Sequence, residues 1–421
     1  MFRSPRYLEK TVYNSFLLDT PLTFPGNDQY QKKTGYRFKV TDRDNWFDWY
    51  NAYFRVEFTF EAQADGANVA ADTRSAPING SFSLINKFDL KSGGKPIYNV
   101  DNVHRLIFIK NLLDFSDDYA RSTAKLQFWY LDNDATTVTA AAATNLGIKA
   151  RGALSHGGAR VKTIIPLNRY SFFEELSDRL LPPMPLEFEI QLQSDQELIW
   201  QNDGTARRIV VRNLELWVPR LQFTSEGQKL VNENFMIPKT WTYMSERVVP
   251  SSSRRDAFGT WQINPGIKDA KHVFVFFQRS NKTNSFTQNP YIFDTFDIDG
   301  DDSAKLSNCR LEYGTSEFYP ELDYDESFKD RILNDLINYR YRKNDYNTGV
   351  QLQPNNFETL YPVIYFDLRE NKNNVTNDPK KMVLHYRLNE AANAADYTIY
   401  AAILYESELV IKQVGNELVV V

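Results

Sequence analysis

Residues of the kind that usually do chemistry are sparse in this chain. Its four histidines are His104, His156, His272 and His385. Sites that bind a metal or move a proton often pair two histidines at a spacing such as H-x-H or H-x-x-x-H, because one strand face or one helix turn then presents both. None of the four stands at such a spacing. The histidines therefore predict structural positions and not a metal or catalytic cluster.

A second candidate is an acidic stretch in which Asp297, Asp299, Asp301 and Asp302 flank Gly300. Oxygen ligands at alternate positions suit a hard cation, as in calcium-binding loops. The downstream glutamate that would supply a bidentate ligand is missing at the required spacing. We therefore predict an acidic loop tip, and the sequence leaves open whether this loop binds a cation.

Other catalytic signatures are missing from the sequence. The carboxylate pairs Glu174 with Glu175 and Glu187 with Glu189 fall on regular elements, where solvated faces are expected. There is no G-x-S-x-G, no Walker lysine loop and no G-x-G-x-x-G. The single cysteine, Cys309, excludes internal disulfides and a zinc–thiolate site. We predict no catalytic, cofactor-binding or metal-binding residues, no cofactor and no enzymatic activity.

Two distant stretches share the same order of predicted elements. Residues 83–116 predict a strand, a turn at Gly93 and Gly94, a short strand and a helix capped by Asp101. Residues 308–340 repeat that order, with a turn at Gly314 and a cap at Asp325. Because about half of the chain separates the copies, the repeat predicts two similar domains and not a solenoid of short units.

Composition sets the broad class of the protein. The chain has 421 residues, 14% aromatic residues and a net charge of −5. Abundant aromatic residues favour strands, and an acidic balance disfavours sequence-specific nucleic-acid binding. No apolar run approaches the roughly 18 residues needed to span a membrane, and the N-terminus lacks the apolar core of a signal peptide. We expect a soluble protein made in a reducing intracellular compartment.

The rest of the chain reads as short strands with irregular connections. Strands are predicted over residues 36–40, 51–63, 125–131, 161–166, 185–193, 208–223, 241–249, 272–278, 291–298, 362–369, 382–388, 397–412 and 417–421. Residues 171–181 predict a short helix, and the polar, Ala-rich and Gly-rich residues 132–158 predict an exposed loop. The stretch 272–278 is almost wholly apolar, so it should be buried on both faces.

This pattern predicts an all-β fold of two consecutive eight-stranded antiparallel jelly rolls, each with a short helix in a loop. The predicted organisation is an irregular N-terminal arm over residues 1–34, a first jelly roll over 35–221 and a second over 222–421. The boundary should fall close to residues 219–224, at the end of the long strand.

Several stretches carry a family resemblance: residues 89–116, 172–192, 271–294, 309–320 and 403–412, together with the short apolar tail. Their aromatic and apolar patterns resemble the double jelly-roll major capsid proteins of double-stranded DNA viruses and virus-like transposons, especially the adintovirus and Polinton type. The resemblance covers most of residues 35–421. The chain is shorter than many members of that family, which implies smaller outward loops.

The resemblance implies a homotrimer whose six jelly rolls form a pseudo-hexagonal capsomer that tiles an icosahedral shell. The partners would be further copies of the chain, neighbouring capsomers, vertex (penton) proteins and minor capsid proteins. Residues 132–158 and part of 281–289 would face outward or across the trimer seam, and the N-terminal arm would face inward. The protein would be made as a soluble protein inside the host cell and end in the virion.

Two alternatives remain open from the sequence. A lectin-like double sandwich could stack sugars on exposed Trp46, Trp49 and Trp241. An enzyme on a β-sandwich scaffold could use paired carboxylates about 5–10 Å apart, as glycosidases do.

Overall fold

The structure is a computed structural model. It describes residues 8–16, 35–70, 74–135, 144–202, 205–235, 239–263, 266–282, 285–298, 304–318, 326–340, 349–369, 380–389, 396–414 and 417–420.

The strands of the described residues fall into two sets. The first set is β1 (Leu8–Phe16), β2 (Gly35–Val40), β3 (Trp46–Phe47), β4 (Tyr53–Ala62), β5 (Ser75–Pro77), β6 (Ile85–Ser92), β7 (Lys95–Asp101), β8 (Val161–Pro166), β9 (Leu186–Leu192), β10 (Ile199–Gln201) and β11 (Arg207–Phe223). The second set is β12 (Lys239–Pro250), β13 (Phe258–Ile263), β14 (Ala270–Arg279), β15 (Leu306–Tyr313), β16 (Ser316–Phe318), β17 (Ile364–Asp367), β18 (Met382–Leu388), β19 (Tyr397–Val414) and β20 (Glu417–Val420).

Helices occupy connections between the strands. The α-helices are α1 (Val103–Asp114), α2 (Asp117–Arg121), α3 (Leu146–Ser155), α4 (Ser171–Glu174), α5 (Asp195–Leu198), α6 (Ser225–Phe235), α7 (Glu326–Ile337) and α8 (Pro354–Thr359). Short 3₁₀ turns cover Trp49–Asn51, Ser81–Leu84, Thr123–Gln127, Leu167–Arg169, Glu175–Ser177, Ser280–Lys282 and Asn338–Arg340.

The two sets build two units with the same strand order. In the first unit, the sheet β1-β11-β4-β8 faces the sheet β2-β9-β6-β7. In the second unit, β12-β19-β14-β17 faces β13-β18-β15-β16. If the eight strands of each unit are lettered B to I in chain order, both units read B-I-D-G against C-H-E-F. All of these strand pairs are antiparallel. This is the all-β double jelly roll that the sequence predicted.

Alternating side chains fill the space between the sheets, because successive residues of a strand point to opposite faces. Phe54 of β4 lies with its ring centroid 5.6 Å from that of Phe38, on the opposite sheet. Phe277 of β14 lies 5.7 Å from Tyr386, on the opposite sheet of the second unit. Strand β14 is buried along both faces from His272 to Gln278, as its apolar run predicted. One cluster of buried apolar residues extends through both units.

The repeated strand–turn–strand–helix is confirmed in both copies. It appears as β6-β7-α1 and as β15-β16-α7. Gly93, Gly94 and Gly314 have positive φ angles, as their turns require. The predicted cap is wrong in the first copy, because Asp101 ends β7 and the left-handed Asn102 precedes the helix without a side-chain capping bond. The predicted cap Asp325 lies outside the described residues.

Other sequence predictions need correction. Residues 125–131 form no strand; a 3₁₀ turn and a left-handed Phe128 cover this stretch. Residues 291–298 are irregular, because their aromatic side chains pack into the core between the units. The helix predicted at 171–181 ends at Glu174 and continues only as a 3₁₀ turn.

Two segments predicted to be irregular contain regular structure. Strand β1 lies within residues 1–34 and pairs with β11 along its length. Helix α3 lies within the predicted loop 132–158, where Ile148 and Arg151 are buried. Residues 17–34 and 136–143 lie outside the described residues.

Candidate functional site

Helix α1 lies in the seam between the two units. The sequence predicted one apolar face, but every residue from Val103 to Leu113 is buried. The ring centroid of Phe108 lies 4.7 Å from that of Tyr291 and 5.4 Å from that of Tyr361. The carbonyl of Leu112 accepts hydrogen bonds from the backbone of Gln351 and Leu352. The helix belongs to the first unit in sequence and is covered by the second.

The basic side chain of Arg105 on α1 joins the units inside this seam. Its Nη1 donates to Gln278 Oε1 at 2.7 Å and to the Pro290 carbonyl at 3.1 Å. Its Nη2 forms an ion pair with Glu197 Oε2 at 3.2 Å. The guanidinium carbon lies 4.6 Å from the ring centroid of Tyr400. Gln278, Pro290 and Tyr400 belong to the second unit, so one side chain holds α1 against three of its elements.

Next to Arg105, His104 makes a second polar contact across the seam. Its Nδ1 lies 2.9 Å from the Tyr291 hydroxyl, and its Nε2 lies 3.0 Å from Gln193 Nε2. Since the amide nitrogen of Gln193 donates, Nε2 accepts and the proton of the neutral ring lies on Nδ1. Burial lowers the pKa of His104 well below its usual range, and the charge of Arg105 lowers it further.

We expect acid to weaken the fold through His104. The unfolded imidazole takes up a proton near pH 6.5, whereas the folded one stays neutral below that pH. The unfolded state then binds more protons, so the free energy of unfolding falls with pH below about 6.5, by at most about 1.4 kcal/mol per pH unit. Urea unfolding at several pH values between 7.5 and 5 should show a smaller decrease for His104→Gln than for the wild type.

The matched control is His385→Gln, because His385 lies half-buried on the outer face of the second unit beside Glu312. Its pH dependence should follow the wild type. Equal pH dependence in the wild type and His104→Gln would show that His104 does not carry the effect.

A third contact across the seam is centred on the buried carboxylate of Glu246, on β12. It accepts hydrogen bonds from the hydroxyls of Tyr98 and Ser171, both in the first unit. Burial, followed by the charge of Glu246, raises the pKa of Tyr98 well above its usual range, so this hydroxyl remains a donor. Ser171 also lies 3.4 Å from the fully buried Nζ of Lys110, which pairs with Glu174 at 2.7 Å.

A fourth contact across the seam joins residues at the ends of two predicted loops. Arg151 Nη2 donates to both carboxylate oxygens of Asp132, at 2.9 and 3.1 Å. From the second unit, Asn289 Nδ2 donates to Asp132 Oδ2 at 3.0 Å, and the Tyr361 hydroxyl donates to the Asp132 carbonyl at 2.6 Å. Asp132 and Asn289 are both buried, so the first residue of one predicted loop and the last residue of the other pack against each other within one chain.

The histidines considered in the sequence analysis each make separate structural contacts and do not form a common site. His156 contacts the Ser75 carbonyl at 2.9 Å, and His272 contacts the Tyr365 hydroxyl at 2.7 Å. Within the described residues, no three His, Cys, Asp or Glu side chains form a group that could hold a metal ion. Of the acidic stretch, Asp297 is described, and residues 299–302 lie outside the described residues.

The structure also shows the surroundings of the glutamate Glu189 and of the three tryptophans considered in the sequence analysis. Glu189 pairs with Arg37 at 2.7 Å and with Lys91 at 2.6 Å on an outer sheet face. Trp46 and Trp49 are buried, at 6% and 3% exposure, so the prediction that they are exposed is wrong. Trp241 is half-buried and packs against the core.

The sequence analysis did not predict that the polar and charged residues of the seam are buried. Arg, Lys and His on a helix normally indicate a solvent-facing side. One available signal was that α1 carries apolar residues on all sides between these three residue types, which is typical of a buried helix. None of the helices in the described ranges has the length and apolar character needed to cross a lipid bilayer.

The two-unit architecture defines the fold, which is the double jelly roll also found in viral major capsid proteins. The structure of the Sputnik virophage matches with a TM-score of 0.60 over 99% of this chain and 89% of that chain, at 13% identity. The Faustovirus major capsid protein matches with a TM-score of 0.56 over 96% and 90%, at 10% identity. The mavirus major capsid protein matches with a TM-score of 0.51 over 95% and 87%, at 12% identity.

These similarities span both units and establish the fold. No protein-family model matches the sequence, and no curated protein matches it.

Proposed function

We propose that this protein is a major capsid protein that self-assembles into homotrimeric, pseudo-hexagonal capsomers of an icosahedral shell, in a double-stranded DNA virus or virus-like element of the adintovirus or Polinton type. It acts as a structural protein and not as an enzyme. The observation that supports this proposal is the pair of units with identical strand order, held in one orientation by the buried helix α1.

The repetition of two similar units within one chain supports a ring-shaped assembly. Two similar units in a fixed relative orientation allow three chains to present six similar units around one axis, and a contact that repeats head to tail closes into a ring. A rigid seam is needed, because a flexible joint would let the ring open or vary in size. The four polar contacts of the seam supply that rigidity, since each one has a defined geometry.

Further features of the proposal follow from the same assembly. We place the division between the units near residue 222, with β1 as a strand of the first unit and the rest of residues 1–34 as an inward-facing arm. Vertex and minor capsid proteins would complete the shell in the virion. The formal net charge of −5 disfavours tight binding to packaged nucleic acid.

The mass of the purified protein in solution tests this function. Light scattering should give about three times 49.0 kDa, and larger hexagonal arrays should appear on electron-microscope grids at high concentration. A particle that stays at 49.0 kDa as the concentration rises would contradict the capsomer. A lectin-like function has lost its main basis, because Trp46 and Trp49 are buried.

A further inference from the structure

The two corresponding sheets of the units differ in what covers their outer faces. On the sheet β12-β19-β14-β17, the outer face carries Phe274, Phe276 and Tyr400, all buried. Phe293, whose ring centroid lies 4.3 Å from that of Phe276, also lies 6.1 Å from that of Phe108 on α1 of the first unit. Arg105 of the first unit lies over Tyr400. Within one chain, this face of the second unit therefore receives the first unit.

The corresponding face of the first unit, on the sheet β1-β11-β4-β8, has no such cover in the described residues. It carries Tyr13, Tyr53 and Trp217, which we call the aromatic patch. The rings of Tyr53 and Trp217 are parallel, with centroids 6.5 Å apart, and Tyr13 lies 6.3 Å from Tyr53. Tyr13 is 52% exposed, and Tyr53 and Trp217 are half-buried.

The polar groups around the aromatic patch are already paired. Arg55 donates to Glu215 at 3.3 Å and to Glu57 at 3.0 Å, and Trp217 Nε1 donates to Glu215 at 2.7 Å. Covering this face would therefore leave these charges with partners, and an unpaired buried charge is the costly case. Tyrosine, tryptophan and arginine are also the residues enriched at the centres of protein interfaces.

In the second unit, helix α7 is the counterpart of α1 in the repeat, and one of its sides is exposed to solvent. Where α1 is buried on all sides, α7 exposes Asp330, Arg331 and Asn334. Among the described residues, the sheet β12-β19-β14-β17 is therefore covered by the first unit, and its counterpart β1-β11-β4-β8 is not covered. Likewise α1 is buried on all sides, whereas the described part of α7 has an exposed side.

We propose that the aromatic patch is the docking surface for a second copy of this chain, which presents the α7 side of its second unit. The contact repeats between chains the arrangement that α1 and the second unit make within one chain. This inference rests on the proposed capsid function. The occupant is a copy of the chain because a ring of six similar units needs the same kind of contact at every junction.

The test is Tyr13→Arg, which places a long charged side chain at the most exposed residue of the aromatic patch. If Tyr13 is an interface hot spot worth at least about 2 kcal/mol, the dissociation constant for self-association should rise at least about 30-fold. Sedimentation over a concentration series measures this change. The matched control is Phe258→Arg, an exposed aromatic residue (77%) on the other unit, which should keep the wild-type mass.

A second measurement does not depend on how well Tyr13→Arg folds. Chains carrying Tyr13→Cys are mixed with chains carrying Asn334→Cys and treated with a flexible bismaleimide; the native Cys309 is buried. Covalent pairs should form only in the mixture. If the wild type is oligomeric but the mixture gives no such pairs and Tyr13→Arg keeps its mass, this docking surface is wrong while the capsid function stands. If the wild type is monomeric at every concentration, the proposed function itself fails.

Discussion

Replacing Arg105 with alanine should lower the free energy of unfolding by about 3–5 kcal/mol, because it removes one partner of a buried ion pair. Glu197, 5% exposed, would lose the guanidinium 3.2 Å away. The Gln278 side chain and the Pro290 carbonyl would lose their donor at the same time. A buried charge that loses its partner costs far more than a solvated pair contributes.

Urea unfolding followed by circular dichroism measures this loss. The matched control is Arg121→Ala, because the Arg121 side chain is 81% exposed and pairs with Asp117 one helical turn away. That control should change stability by at most about 0.5 kcal/mol. A double variant, Arg105→Met with Glu197→Met, removes both charges and should lose less than Arg105→Ala alone. Equal losses for Arg105→Ala and Arg121→Ala would show that the seam does not depend on this ion pair.

Replacing Arg151 with alanine should produce a loss of similar size, about 3–5 kcal/mol. The side chain is fully buried and donates to the Pro77 carbonyl at 2.8 Å, to the Tyr130 carbonyl and to both oxygens of Asp132. Without it, the Asp132 carboxylate would keep Asn289 as a partner but lose its counter-charge. The loss should therefore loosen both the first unit and its contact with the second.

Hydrogen exchange gives the local readout for this variant. Amides of α3 and of residues 285–298 should exchange faster in Arg151→Ala than in the wild type. The control is Lys149→Ala on the same helix, because Lys149 is exposed. Unchanged exchange at residues 285–298 would contradict a role for Arg151 in holding the second unit.

Local patterns in the sequence were enough to predict most strands and the repeat. Strand β4 follows from the alternation of apolar and polar residues, and β14 follows from an apolar run with no polar face. The Gly93-Gly94 turn follows from the freedom of glycine at positive φ. The jelly-roll class followed from the number and spacing of such strands.

Other segments show where local pattern fails. Strand β1 was missed because it is an edge strand with one exposed face, and its sequence of mostly polar residues has no apolar run. Residues 125–131 have the aromatic and apolar content of a strand, yet they begin in a 3₁₀ turn, pass through a left-handed Phe128 and continue as irregular chain. Residues 291–298 have the apolar content of a strand, but Tyr291 packs on Phe108 of α1.

By itself, the sequence determined most of the strands and that the same unit occurs twice, because strand formation and turns depend largely on neighbouring residues. Which residues meet in the seam between the two units was determined only by the tertiary structure. Arg105, Glu197 and Gln278 are far apart in the chain, and Arg105 reaches Gln278 across 173 residues. A charged helix residue looks the same in the sequence whether water or a second unit covers it. Its burial depends on how the two units pack, and no local pattern records that arrangement.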